Sequence, residues 1–223
     1  MDDLRAREAW RVLRIQAELV DGIEHLAGIG PSVTIYGSAR LGPESLYYQN
    51  ARALAKRFGE SGLNVLTGGG PGIMEGANEG AFDTESCSIG LNIELPHEQG
   101  ANRYQDLCLD FRYFFVRKLM FVKHAVGFVV FPGGFGTLDE LFEALTLVQT
   151  GKIQPFPIVL FGVDYWKGLI DWMTQTMLAE GCIDADDVKR FYITDSVEDA
   201  FQHVFSDYSA QQDGHRDNLP PNV

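Results

Sequence analysis

Residues 126–140 read Val-Gly-Phe-Val-Val-Phe-Pro-Gly-Gly-Phe-Gly-Thr-Leu-Asp-Glu. The apolar run Val126–Phe131 has the make-up of a buried strand, Pro132-Gly133-Gly134-Phe135-Gly136 interrupts it, and the pattern from Thr137 to Thr150 is helical. Glycines between a strand and a helix let the backbone come close to a phosphate. The helix that follows presents unpaired N–H groups and the positive end of its dipole. A second such loop, Gly68-Gly69-Gly70-Pro71-Gly72, lies between a strand over Asn64–Thr67 and a helix over Ile73–Phe82. A third, Gly37-Ser38-Ala39-Arg40, closes the β-branched run that starts at Val33. Neither of the longer loops fits GxxxxGK[ST], and neither fits GxGxxG with an acidic residue ending the next strand, so Walker-type NTPases and dinucleotide oxidoreductases are disfavoured.

Outward from these loops the same unit repeats. Residues 3–27 carry Leu4, Trp10, Leu13, Ala17, Val20, Ile23 and Leu26 at spacings of three and four, which predicts an amphipathic helix ending at Gly28–Pro31. Helices are expected over 44–61, 113–124, 165–180 and 196–205, and strands over 87–93, 106–112, 157–161 and 191–194. Apolar strands alternating with helices imply βαβ crossovers. The expected class is α/β: a doubly wound, mostly parallel sheet with helices on both faces. Its parts are an amino-terminal helix (1–30), a domain over 31–206 that carries the glycine loops, and a polar tail (207–223) expected to be disordered. In such sheets ligands sit beyond the carboxyl ends of the strands, so the three glycine loops should converge on one site.

The chain has 223 residues and a net charge of −13, which repels nucleic acid and anionic membrane over most of its surface. Three cysteines without a CxxC pair suggest neither a disulfide framework nor a thiolate zinc site, and the five histidines show no HxxxH or HExxH spacing. No metal and no cofactor is expected. The longest apolar runs reach about seven residues and the amino terminus reads Met-Asp-Asp, so a soluble, cytoplasmic protein is expected.

Thr137-Leu138-Asp139-Glu140 matches a capping box, in which the glutamate turns back to its own helix terminus. The competing reading points Glu140 into the cleft beside the phosphate loop, where a carboxylate makes sense only if it serves the adjacent sugar. The stretch Phe114–Val122 is apolar almost all round and carries Arg117 and Lys118, two cations that need anions. Both are expected to face the cleft, one positioning Glu140 and the other neutralising phosphate or sugar hydroxyls. A structural salt bridge is the plainer alternative. Arg40 and Arg103 lie in loops near the cleft, with surface solvation the simpler reading.

Pro132-Gly133-Gly134-Phe135-Gly136-Thr137-Leu138-Asp139-Glu140 matches PGGxGTxxE, with Arg117-Lys118 at the corresponding upstream place. In this the chain resembles the LOG ("lonely guy") family of cytokinin-activating phosphoribohydrolases from about Val33 to Phe205. The helix up to Gly30 departs from the shorter members. The resemblance implies a Rossmann-like fold, with 31–206 as the nucleotide-binding catalytic domain, and a homo-oligomer that hydrolyses the N-glycosidic bond of adenosine 5′-monophosphates, including N6-prenylated ones, to free base and ribose 5-phosphate. Arg117 and Glu140 would be the catalytic pair. Gly37, Ser38, Gly69, Gly70, Gly72, Met74, Lys118, Pro132, Gly133, Gly134, Phe135, Gly136 and Thr137 would bind the nucleoside monophosphate. A non-catalytic carrier or sensor of the same fold, for a nucleotide or the molybdenum cofactor, is the alternative. Chains of this kind are often labelled lysine decarboxylases, but a pyridoxal enzyme needs a Schiff-base lysine, and only Lys118 falls near a cleft loop.

Overall fold

The computed structural model describes residues 2–95 and 100–213. In chain order the elements are α1 (Asp2–Leu26), β1 (Ser32–Tyr36), α2 (Leu46–Glu60), β2 (Asn64–Thr67), α3 (Ile73–Phe82), β3 (Ser88–Ile93) and β4 (Leu107–Phe111). There follow α4 (Phe114–His124), β5 (Ala125–Val130), α5 (Phe135–Gln149), β6 (Ile158–Phe161), α6 (Val163–Trp172), β7 (Tyr192–Thr194) and α7 (Val197–Asp213). The seven strands form one sheet in the order β4-β3-β2-β1-β5-β6-β7. Every pairing is parallel. The winding reverses between β1, which is followed in space by β2, and β5 on its other side.

Alternation along the strands divides the core in two. Val33 and Ile35 of β1, with Val129, Val159 and Phe161, meet α2, α3 and α7 on one face. Tyr36, Leu66, Phe128 and Val130 meet α1, α4, α5 and α6 on the other. Strands buried on both faces must be apolar throughout, which is why they read as continuous Val/Ile/Leu/Phe runs. α3 packs close on α2 because it lacks side chains at the crossing: a Cβ at Gly80 would overlap the carbonyl oxygen of Arg52.

Among the boundaries that differ from expectation, three have a clear physical reason or consequence. α5 begins two residues early, at Phe135, with Gly134 as its N-cap, so Thr137 lies inside the first turn. α6 stops as an α-helix at Trp172 and continues with wider bonds, Leu178 N–H reaching Met173 O. There the Thr174 hydroxyl takes the Ile170 carbonyl at 2.8 Å, loosening the ladder. α7 runs to Asp213, past the expected start of the tail at Asp207, because Tyr208 packs against the core and the Phe205 ring, 6.3 Å between centroids. The rest of the tail, 214–223, lies outside the described residues, as do residues 96–99 of the loop expected over 94–105. No described helix is long and apolar enough to cross a membrane.

Candidate active site

A cavity of about 760 Å³ opens beyond the carboxyl ends of β1, β2, β3 and β5, at the point where the winding reverses. The loops around it are tied to one another by their backbones. Ser38 N–H donates to Pro132 O at 2.9 Å, Phe131 N–H to Tyr36 O at 2.8 Å and Ile73 N–H to Ser38 O at 3.0 Å. Gly72 sits at φ 71°, and a Cβ there would overlap the Ser38 carbonyl oxygen, so only glycine lets the second loop pass this close to the first.

The second loop is held from the other side by half-buried amides. The Gly69 carbonyl accepts from Asn102 N–H at 2.8 Å, from Asn102 Nδ2 at 3.0 Å and from Gln105 Nε2 at 2.8 Å. Asn102 Nδ2 also reaches Gly70 O at 3.0 Å and Asn78 Oδ1 at 2.9 Å. Asn78 in turn accepts from the Thr67 hydroxyl at 2.5 Å and donates to Ser88 at 2.9 Å. With its carbonyls occupied, the loop cannot swing away from the cavity.

At the first turn of α5, Leu138 N–H is the first to find a helical acceptor, Gly134 O at 3.1 Å. The N–H groups of Phe135, Gly136 and Thr137 precede it and have no helical partner, which favours an anion at this end of the cavity. One turn further on, Glu140 is only 7% exposed. Its Oε1 accepts from Arg117 Nη2 at 3.3 Å. With Gly134 as the N-cap, Glu140 is too far along α5 to close a capping box, and the cleft reading holds. Arg117 also donates to Leu91 O at 3.5 Å and lies 5.4 Å from the Phe114 ring and 5.6 Å from the Phe121 ring. Its buried Nε has no hydrogen-bond partner among the described residues.

Burial dominates the electrostatics of this pair. It pushes the Glu140 carboxyl up to about 7, against the downward pull of Arg117 and Lys118. It also lowers Arg117 from the usual arginine range, although Glu140 opposes the shift. A carboxyl so placed changes charge near neutrality, where acid–base chemistry is most effective.

The cavity wall gathers Gly37, Ser38, Gly70, Met74, Gly133, Gly134, Phe135, Gly136 and Thr137 together with Arg117 and Glu140. Four expected binding residues lie elsewhere. Gly69, Gly72 and Pro132 support the wall from behind. Lys118 is turned away, its Nζ 2.8 Å from Asp139 and 2.7 Å from Glu143, because neighbours on a helix point about 100° apart and Arg117 already takes the cavity side. Arg40 does border the cavity, whereas Arg103 is engaged by the Tyr104 hydroxyl at 2.7 Å. Sequence reading missed Tyr36, Asn92, Ile93, Phe114 and Phe121 on the wall. Tyr36 and Asn92 end or nearly end β1 and β3, the positions where α/β sheets place ligand-facing side chains. Phe114 and Phe121 bracket Arg117 along one side of α4.

No lysine borders the cavity. The residues present therefore do not fit a pyridoxal Schiff base. Among the described residues no group of three or more His, Cys, Asp or Glu side chains could hold a metal ion.

Fold and site together define an α/β protein of Rossmann type with a buried carboxylate–guanidinium pair under a phosphate-suited cleft. A family model described as "Possible lysine decarboxylase" matches residues 74–204, and the chain belongs to this family, which includes the LOG proteins. The chain is 29% identical over 175 residues to the probable cytokinin riboside 5′-monophosphate phosphoribohydrolase LOG4 of Oryza sativa subsp. japonica, covering 76% of this chain and 75% of that one. It is 29% identical over 144 residues to the pyrimidine/purine nucleotide 5′-monophosphate nucleosidase of Escherichia coli K12, covering 58% of this chain but only 32% of that longer protein. Among solved structures it superposes on the molybdenum cofactor binding protein of Rippkaea orientalis with a TM-score of 0.56 at 22% identity, covering 79% of this chain and 96% of that one. The Moco carrier protein of Chlamydomonas reinhardtii gives 0.56 at 20% identity, over 81% and 98% of the two chains. At these identities the structures establish the fold.

The raised Glu140 carboxyl has a consequence for stability. Its proton is held more tightly in the folded than in the unfolded chain, so this contribution is complete below about pH 4.5 and disappears as pH rises through about 7. Denaturation of the parent and of Glu140→Gln at about pH 5 and about pH 8 should show the variant gaining relative to the parent at the higher pH. An identical difference at both pH values contradicts the raised carboxyl.

Proposed function

We propose that the protein hydrolyses the N-glycosidic bond of nucleoside 5′-monophosphates, AMP and N6-substituted adenosine monophosphates among them, to free base and ribose 5-phosphate. The observation that carries this reading is the Arg117–Glu140 pair, 3.3 Å apart, under the open first turn of α5. The activities named for the rice and Escherichia coli relatives support the same reaction class.

The 5′-phosphate would rest on the N–H groups of Phe135, Gly136 and Thr137, with the Thr137 hydroxyl as a further donor. That anchor fixes the ribose over Glu140 and turns binding energy of the phosphate into orientation of the sugar. Breaking the ribosyl C–N bond builds positive charge at C1′. An ionised carboxylate held in a desolvated site stabilises that charge more in the transition state than in the ground state. Glu140 would also orient the attacking water and take its proton, while the departing base leaves with the electron pair of the C–N bond and gains a proton from solvent water. Arg117 aims the carboxylate and favours its ionised form. A mere carrier has no use for a carboxylate aimed at the sugar.

Chromatography of free base should show release from AMP and N6-isopentenyladenosine monophosphate, and release from adenosine slower by about a hundredfold or more, since it lacks the anchoring phosphate. Glu140→Gln and Arg117→Ala should each lower the rate by about 10²-fold or more. Equal cleavage of adenosine and AMP, or full activity in Glu140→Gln, contradicts the reading.

The proposal includes a homo-oligomer. Phe135, 93% exposed on the cavity rim, and Phe115, 56% exposed on α4, support a covering second copy. Light scattering should give a mass above the 24.8 kDa of one chain. A monomer at every concentration contradicts this.

A further inference from the structure

Tyr36 is the last residue of β1, the strand at which the winding of the sheet reverses. It is 95% buried, being 5% exposed, yet it borders the cavity. Its ring is held edge-on by Phe121 at 5.1 Å and Phe128 at 5.2 Å between centroids, so the side chain has one orientation. Its hydroxyl makes no hydrogen bond among the described residues, and it is not one of the fully buried unpartnered side-chain atoms, so it keeps an open side where the ring borders the cavity. Glu140, Arg117 and Glu143 all act on it electrostatically, Glu140 most strongly. Burial, with Glu140 next, holds the phenol well above its ordinary value, so it stays protonated and can both donate and accept.

No residue described above accounts for such a group. A phenylalanine would fill the same aromatic cluster, so packing alone does not account for the hydroxyl. The hydroxyl shares its surroundings with the carboxylate that faces C1′, and the sugar hydroxyl nearest C1′ is the one on C2′. We propose that the Tyr36 hydroxyl hydrogen-bonds the 2′-hydroxyl of the bound nucleotide and makes the site selective for ribose over 2′-deoxyribose. This rests on the nucleotide reading of the cavity and extends it to the class of sugar. Tyr36 is then a specificity-determining residue, whose neutral phenol meets a neutral hydroxyl without adding charge beside Arg117 and Glu140.

The test compares AMP with 2′-deoxyadenosine 5′-monophosphate on the parent and on Tyr36→Phe, with thermal melting to confirm that the variant is folded. The parent should prefer AMP in kcat/KM by about tenfold or more, and the variant should bring the two within about twofold by losing rate on AMP alone. A parent without preference, or a variant that keeps the parent's ratio, overturns the proposal. If Tyr36→Phe does not fold, Tyr36→Leu removes the same hydroxyl and serves in its place. Calorimetric titration with the two nucleotides gives the same ratio from binding. If the parent binds both nucleotides but releases base from neither, the hydrolase reading fails, and the binding ratio still decides the role of Tyr36.

Discussion

The ion pair between Arg117 and Glu140 is the interaction around which the rest of the site is arranged. Two charges taken out of water are costly, and removing one partner strands the other. The fold reduces that cost from several sides. α5 brings Glu140 in one turn below its amino terminus, and α4 brings Arg117 on a nearly apolar helix between two phenylalanine rings. The Leu91 carbonyl at the end of β3 takes part of the guanidinium's hydrogen-bonding capacity. Even so, burial outweighs the attraction, leaving Glu140 poised near neutrality and Arg117 Nε without a partner among the described residues. Such a pair is poorly placed to stabilise the protein and well placed to act on a ligand.

Around the pair, the glycine loops are held more by long-range bonds than by their own sequence. Asn102 and Gln105 reach across more than thirty positions to Gly69, and Asn78 links Thr67, Ser88 and Asn102 in one buried network. A satisfied polar network of this kind fixes a single arrangement, because each amide that turned away would leave a buried group unpaired. The result is a cleft whose backbone donors are in place before any ligand arrives.

Much of this was legible in the sequence because it rests on local signals. Asn64–Thr67 and Ile73–Phe82 coincide with β2 and α3, and the convergence of the three glycine loops follows from parallel winding. The apolar helix around Arg117 and Lys118 showed that a cation there needs an anion and that one of the two meets Glu140, while the choice of Arg117 came from the family resemblance. The place of Lys118 was not legible: adjacency in sequence suggested a shared role, while helical geometry sends the two cations to different neighbours, and Asp139 and Glu143 were available on α5. The start of α5 at Phe135 was hidden because glycine at the N-cap offers no side-chain signal. Tyr36, Asn92 and the Asn102 network were hidden for a different reason. Their surroundings come from segments far apart in the chain, and no periodicity records them.

The most direct test of the account is the pH dependence of kcat/KM for AMP on the parent protein. The desolvated Glu140 must be ionised to act, so the rate should rise with pH through about 7 and then level off. A profile already flat from about pH 5 upward, as for an ordinary solvated glutamate, would contradict a buried carboxylate as the group on which the chemistry depends.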